Sequence, residues 1–516
     1  MAQISVSELT FCYEGSFKDV FTDVSFTIDT DWKLGLIGRN GKGKTTFLNL
    51  LLGKYEYRGE IQTTASFDYF PYTVPDSHME QDTMAVLEYL KPDCELWKVC
   101  REMNQLALDT ELLYRRYGTL SHGERTKVML ALLFSEEENF LLIDEPTNHL
   151  DMDARRVVRD YLRKKKGFIL VSHDRMLLDA CVDHILALNR EDITVEKGNF
   201  SSWWENKEKK DRFLEGENEK LEREISKLKA SARRTEAWAD KVEGSKIGFD
   251  PVKEHDRSIA TRSYLGEKSK RMQQRRKNLE RRQKNNIEMK EGLLNNIEKT
   301  VELKLMPVSH HKEVYVKMEK VELIYPESST PVLSGFSMEL KRGERILLKG
   351  KNGSGKSSLI KSVLENSGAV VLNHVNLKQG KDTPLVSGML YVANGLIISY
   401  VNQDTSILRG DLRGYIEQLG VEESLFKTLL RQLDFEREQF VKPMEQYSEG
   451  QKKKVLIAGS LLSRAHLYIW DEPLNYIDVF SRIQIENLIQ KYRPTMLLVE
   501  HDEMFGKNVM TREIIL

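Results

Sequence analysis

Long hydrophobic runs are missing from this 516-residue chain: nowhere do eighteen apolar residues follow one another, the minimum for a helix that crosses a bilayer. The opening MAQISVSELTFCYEGSF has no basic stretch followed by an apolar core, so no secretory signal is read there and a cytoplasmic protein is expected. Cysteine is scarce. Cys12, Cys94, Cys100 and Cys181 all lie in the first half with no CxxC pair, which excludes a disulfide framework and a cysteine metal site and leaves four reduced thiols. Excess charge of either sign is absent too. With 78 basic against 79 acidic residues and a net charge of -1, the whole chain is not a general polyanion binder, and any nucleic-acid surface must be local.

What is present is an internal repeat on a chain too long for a single core. GRNGKGKTT at 38–46 returns as GKNGSGKSS at 350–358, LSHGER at 120–125 as YSEGQK at 447–452, LLIDEPTNHLD at 141–151 as YIWDEPLNYID at 468–478, and LVSHDR as LVEHDE. The first motif is offset by 312 residues and the others by 327, 327 and 328. The second half therefore holds about fifteen extra residues between its first two motifs, a length suited to a surface insertion, with HVNLKQGKDTPLVSG as its place. Short apolar runs such as KLGLIG, FLLID, GFILVS, RILLKG, LYIWD and TMLLVE read as buried parallel strands, so each half is expected to be α/β.

Residues 204–304 differ from both halves: they are rich in Lys, Glu and Arg, with apolar residues at heptad-like positions. Leu214, Leu221, Ile225 and Leu228 form one seam, Met272, Leu279, Leu293 and Ile297 a facing one, and Gly244, Gly248 and Pro251 interrupt the helix between them. The expected shape is an antiparallel helical hairpin projecting from two nucleotide-binding units at 1–203 and 305–516, each arm extending roughly 60 Å. Positive charge is concentrated there: residues 201–300 carry 26 basic and 19 acidic side chains, and the run from Arg257 to Lys290 carries 12 and 3. That density suits a phosphate backbone, although a solvated coiled-coil face is the plainer alternative.

The chemistry lies in the repeated motifs. GxxxxGK[ST] turns backbone N–H groups around phosphate oxygens while its lysine reaches the terminal phosphates. Gly38, Asn40, Gly41, Gly43, Lys44, Thr45 and Thr46 form one such loop, and Gly350, Asn352, Gly353, Gly355, Lys356, Ser357 and Ser358 the other. ATP and Mg²⁺ are the expected ligands. Thr45 and Ser357 are expected to place hydroxyls on the metal, and Asp144 and Asp471, ending apolar strands, to hold the same ion. Glu145 and Glu472 follow immediately, where a carboxylate orients or deprotonates the attacking water, and His173 and His501 are the imidazoles that steady it. One phosphate-loop pattern alone can be a glycine-rich turn before a helix; two complete ordered sets remove that alternative.

These residues resemble the ATP-binding-cassette superfamily, whose LSGGQ signature is written here as LSHGE and YSEGQ. The resemblance implies that two cassettes close head to tail, with Ser121, Gly123, Ser448 and Gly450 completing the phosphate cradle of the opposite site. His122 and Glu449 replace a signature glycine, which implies altered rates rather than dead sites. The resemblance makes Gln403 the metal-sensing glutamine of the second half and puts Tyr72 at that place in the first. It sets Tyr13, or Phe17 in its stead, and Tyr325 against adenine; burial in the core is the alternative for these rings. Both sites are expected to hydrolyse ATP, and because both can form within one chain, a monomer without a membrane subunit is expected.

Tandem cassettes with a basic helical connector resemble the ABC-F family of ribosome-binding translation factors, and GNFSSWW at 198–204 is similar to that family's entry motif. KLGLIGRNGKGKTTFLNLL, RMQQRRK and WDEPLNYIDV are similar to the Vga- and Lsa-type antibiotic-resistance branch. An extended linker tip suits that branch. Only 47 residues separate Tyr72 from Leu120, leaving little room for the arm that housekeeping relatives carry in the first cassette. The resemblance implies binding to the bacterial ribosome from its E site, a linker reaching ribosomal RNA and the P-site transfer RNA, and displacement of lincosamides, streptogramin A compounds and pleuromutilins by tip residues between Gly244 and Gly266. Ile247, Phe249, Ile259 and Tyr264 are the apolar candidates there, with packing inside the hairpin as the alternative. A housekeeping factor that relieves stalling is the competing expectation; a transporter subunit and a DNA-repair ATPase fit the connector less well.

Overall fold

The computed structural model describes residues 3–15, 19–136, 139–148, 150–188, 193–244, 304–326, 328, 330–365, 370–372 and 384–516, with Gln274, Asn278, Arg281, Arg282, Lys284 and Met289 as isolated helical positions. The chain divides into two compact units, Met1–Trp203 with Val301–Leu516, and Trp204–Thr300.

In the first unit, the amino-terminal half contributes β1 (Gln3–Phe11), β2 (Phe21–Asp29), β3 (Lys33–Gly38), β4 (Arg58–Gln62), β5 (Phe67–Phe70), β6 (Phe140–Asp144), β7 (Phe168–Val171), β8 (His184–Leu188) and β9 (Ile193–Lys197). The carboxy-terminal half contributes β10 (Val314–Ile324), β11 (Leu333–Lys341), β12 (Arg345–Lys349), β13 (Val370–Leu372), β14 (Leu385–Val392), β15 (Ile397–Val401), β16 (Leu467–Asp471), β17 (Met496–Val499) and β18 (Arg512–Ile515). Each half builds an antiparallel three-stranded sheet, β2-β1-β4 or β11-β10-β14, beside a six-stranded one, β5-β6-β7-β3-β8-β9 or β13-β15-β16-β17-β12-β18.

The second large sheet is parallel throughout, and the first departs only where β8 and β9 run antiparallel. Strands covered on both faces need unbroken apolar runs. FLLI of β6, FILV of β7, LYIW of β16 and MLLV of β17 are buried accordingly. Their carboxyl ends deliver Asp144 and Asp471 to one edge of each sheet, where ligands bind in open α/β folds.

Gly59 and Gly388 fix where the length difference falls. Each has positive φ and lies so close to the first strand of its sheet that a Cβ would stand 2.4 Å from a carbonyl oxygen, that of Glu8 or of Lys320. The extra residues therefore lie between Glu365 and Gly388. Within HVNLKQGKDTPLVSG, residues 374–383 lie outside the described residues and 385–388 belong to β14.

The entry to the linker has a local cause. Asn199 accepts from the Ser202 N–H at 3.0 Å, starting the helix Phe200–Gly244. Ser201 donates to Asp179, and Phe200 and Trp203 are buried, the latter edge-on to Phe480 of the second half. GNFSSWW is thus a helix cap followed by two apolar anchors.

In the second unit the helix reaches Gly244, a run of 45 residues or roughly 68 Å from its first residue. Leu214, Asn218, Leu221, Ile225 and Leu228 form its less exposed stripe, which matches the seam expected from the heptad spacing. Exposed pairs such as Arg212–Glu208 at 2.9 Å and Arg223–Glu219 at 3.2 Å line the other side. The facing seam, the tip residues Ile247, Phe249, Ile259 and Tyr264, and most of the basic run lie outside the described residues.

Candidate active sites

Each phosphate loop leaves the end of a buried strand and turns through two left-handed glycines, Gly41 and Gly43 at φ 80° and 90°, or Gly353 and Gly355 at 81° and 90°. A side chain at Gly43 would also strike Val20 at 2.6 Å. Behind them the helices Lys44–Leu51 and Lys356–Glu365 begin. Lys44 Nζ donates to the carbonyls of Gly38 at 2.8 Å and Arg39 at 3.2 Å and to the Asn40 amide oxygen at 3.4 Å; Lys356 Nζ donates to Gly350 and Lys351, both at 2.8 Å. Burial lowers both lysines' pKa, opposed by surrounding carboxylates. An ammonium gripped by carbonyls inside a ring of amides fits an anionic phosphate chain.

The residues beyond the lysines pair alike. Thr45 donates to Asp144 at 2.9 Å, and Ser357 hydrogen-bonds to Asp471. Burial raises the pKa of both aspartates, Asp471 to about 6, and Asp471 Oδ1 has no hydrogen-bond partner among the described residues. A hydroxyl beside a buried carboxylate with a spare oxygen is a hard oxygen donor set that fits Mg²⁺. The Tyr13 hydroxyl lies 2.6 Å from that of Thr46, and the Tyr325 hydroxyl 2.8 Å from that of Ser358. Tyr13 is exposed and Tyr325 half-buried, so neither is the core aromatic that was the alternative; Phe17 lies outside the described residues.

Glu145 and Glu472 sit at φ 51° and 46°, a left-handed backbone that is rare outside glycine. The Val171 and Val499 carbonyls hold their N–H groups at 2.9 Å. Such strain persists only where neighbours over-determine it, and it gathers at functional sites. His173 Nε2 lies 3.4 Å from Glu145 and His501 Nε2 3.5 Å from Glu472. Burial, with Lys44 and Arg482 nearby, holds His173 well below its usual pKa.

The two carboxylates have unlike surroundings. Glu472 accepts from the Gln403 amide at 2.9 Å and the Asn475 amide at 2.8 Å. Its pKa is lowered: burial raises it, but hydrogen bonds and charge from His501, Lys453 and Asn475 outweigh that effect. Glu145 Oε1, the oxygen that faces His173, has no hydrogen-bond partner among the described residues, and burial, then the Asp144 charge, pushes its pKa up to about 8. Gln403, expected on the metal, thus rests on Glu472. Tyr72, at the matching place in the first half, turns to Asp68 at 2.8 Å. Tyr69, three residues earlier, reaches Asp144 instead, at 3.3 Å.

Elements of both halves meet at these sites. Asn40 donates to the Tyr476 carbonyl at 2.8 Å, and a Cβ on Gly450 would stand 3.4 Å from the same Asn40 amide. Asp478 acts electrostatically on Lys44, and Asp151 on Lys356. Ser121 and Ser448 each cap a helix, in capping boxes with Glu124 and Gln451, and Gly123 follows within the first of these turns. Arg482 ties its own loop together, donating to the Leu474 and Ile477 carbonyls at 2.9 Å and to Asp502 at 3.1 Å; Arg155 reaches the Leu150 carbonyl and Asp174 in the same manner. Asp151, Asp478, Arg155, Arg482, Asn475 and Tyr69 were not singled out from sequence. The recurrence of both aspartates and both arginines at an offset of 327 was the available signal.

Two phosphate loops, each with an oxygen-donor pair and a carboxylate–imidazole pair, define a tandem nucleotide hydrolase. The family model described as ABC transporter matches residues 21–148 and 333–475, just over half of the chain. The chain belongs to the ABC transporter family.

A relative from Bacillus subtilis (strain 168), "Ribosome protection protein VmlR", is 26% identical over 523 residues, covering 98% of this chain and 85% of that protein. The "Putative ATP-binding protein YdiF" of the same strain is 29% identical over 402 residues, covering 76% of this chain and 54% of its own length. Among solved structures, a chain from the complex of archaeal ribosomal stalk protein aP1 with archaeal ribosome recycling factor aABCE1 superposes with a TM-score of 0.59 at 19% identity, over 96% of this chain and 84% of that one. It shares the two-cassette fold.

The protein is therefore an ATPase that uses ATP with Mg²⁺. Bound Mg²⁺ supplies charge neutralisation at the phosphates, with Thr45, Asp144, Ser357 and Asp471 as the residues that would hold it. The ammonium groups of Lys44 and Lys356 are of the charge that suits a phosphate chain, and the carboxylates of Glu145 and Glu472 are of the chemistry that takes a hydrogen bond from water. Among the described residues no helix is long and apolar enough to cross a membrane.

Proposed function

We propose that this chain is an ABC-F ATPase of the Vga and Lsa type: a cytoplasmic, monomeric protein that binds the bacterial ribosome and displaces antibiotics from the peptidyl-transferase centre. The observation that carries the reading is the end-to-end alignment with a ribosome protection protein over 98% of this chain, linker included. A connector with a +7 excess of charge between residues 201 and 300 supports contact with ribosomal RNA and the P-site transfer RNA. In this reading 1–203 and 305–516 are the cassettes and 204–304 the linker. ATP is held between the phosphate loop of one cassette and Ser121 with Gly123, or Ser448 with Gly450, of the other. Closure admits the linker to the ribosome, and hydrolysis through Glu145 and Glu472 releases it. Lincosamides, streptogramin A compounds and pleuromutilins are the expected drug classes.

The test is the minimum inhibitory concentration of lincomycin and tiamulin in a susceptible Gram-positive host expressing the chain, beside Glu145→Gln, Glu472→Gln, with ribosome co-sedimentation from both strains. Protection by the wild type alone, with the double variant trapped on ribosomes, is the expected result. Ribosome binding without protection would indicate a housekeeping factor that relieves stalling, and absence from ribosomes would refute both.

A further inference from the structure

The residue after each His–Asp pair, His173–Asp174 and His501–Asp502, crosses to the other half, and the two crossings have opposite polarity. Arg175, which follows His173 and Asp174, donates to Glu486 of the helix Val479–Tyr492 at 2.6 Å, and both side chains are buried. At the matching place in the second half stands Glu503, which accepts from Arg156 of the helix Met152–Lys164 at 2.8 Å. It lines a small cavity together with Arg159 and His501. Arg159 is the positional equivalent of Glu486 at the repeat offset of 327. One half thus carries arginine at its crossing position and around its receiving position, where Arg156 makes the contact and Arg159 stands one turn on, and the other half carries glutamate at its crossing position and at the equivalent of Arg159.

We propose that this reversal is a pairing key: it admits the first cassette against the second and opposes the pairing of like cassettes from two chains. Two first halves would set Arg175 against Arg156 and Arg159, and two second halves would set Glu503 against Glu486. Like charges brought together in a desolvated interface are strongly unfavourable, whereas the mixed pairing sets arginine against glutamate at both crossings. Arg175 and Glu503 sit two residues beyond His173 and His501; their part is in pairing the halves, not in catalysis. The inference rests on the reading that ATP is hydrolysed between paired halves.

The test is a charge-reversal cycle in the full-length chain, reading ATP turnover and, by sedimentation with ATP in the Glu145→Gln, Glu472→Gln background, the mass of the closed form. Arg175→Glu and Glu486→Arg are each expected to lower turnover at least about tenfold, and the double reversal to recover most of it. The double reversal also makes each half self-complementary, so its closed form is expected to gain a two-chain species with concentration while the wild type stays at one chain. The more exposed pair Arg156→Glu and Glu503→Arg repeats the cycle where folding is less at risk, with thermal unfolding without ATP as the check on both. Singles that keep full turnover, a double as slow as the singles, or a double that never leaves the one-chain mass would overturn the key. Failure of the glutamine background to retain ATP would instead overturn hydrolysis between paired halves.

Discussion

Turnover at the two sites is expected to differ in its dependence on pH, and the difference can be read from one polypeptide. On the proposed assignment, glutamine in place of Glu472 leaves Glu145 as the remaining base, and glutamine in place of Glu145 leaves Glu472. The carboxyl of Glu145 is pushed up to about 8 by burial and by Asp144, so at pH 7 roughly one molecule in ten holds it ionised, and each further unit of acidity removes about another tenfold. Glu472, held low by His501, Lys453 and Asn475, stays ionised throughout. Phosphate release by Glu472→Gln is therefore expected to rise with pH between 6 and 8 more steeply than that of Glu145→Gln. Parallel profiles for the two variants would refute the assignment. The same shift enters stability with a definite sign. A carboxyl whose pKa is raised by folding stabilises the fold below its unfolded value near 4.5, and that contribution is lost as pH rises through about 8. Glu145→Gln is expected to remove this pH dependence from thermal unfolding.

Arg482→Ala removes the guanidinium from the buried Asp502 carboxylate and from the Leu474 and Ile477 carbonyls, a loss of roughly 3–5 kcal/mol in denaturant unfolding. Gln403→Leu and Asn475→Leu together strip both amides from Glu472 and should move the Glu145→Gln profile toward higher pH in the same phosphate-release assay. Leu142→Ala, in the fully buried centre of β6, should cost about 3 kcal/mol in urea unfolding. Chelation by EDTA is expected to abolish ATP turnover and added Mg²⁺ to restore it, consistent with sites built from a hydroxyl and a carboxylate at Thr45–Asp144 and Ser357–Asp471.

Much of this molecule is local, and local order is what a sequence encodes directly. The glycines of the phosphate loops sit where φ is positive, the apolar runs FLLID and LYIWD become buried strands ending in Asp144 and Asp471, and Ser121 and Ser448 begin helices through capping boxes. The heptad stripe from Leu214 to Leu228 likewise follows from its spacing. A repeat of ordered motifs sufficed for the two-cassette fold because each motif needs only its own strand, turn and helix. What the sequence left open depends on residues far apart in the chain. Tyr69 rather than Tyr72 reaches Asp144 because β5 brings it alongside β6, with Tyr72 held by Asp68. The unequal settings of Glu145 and Glu472 arise from which amides and charges the packed loops set beside them. The opposite polarity of Arg175–Glu486 and Arg156–Glu503 acquires meaning only once the halves face each other, since charge pairs act over a few ångströms of space and not along the sequence.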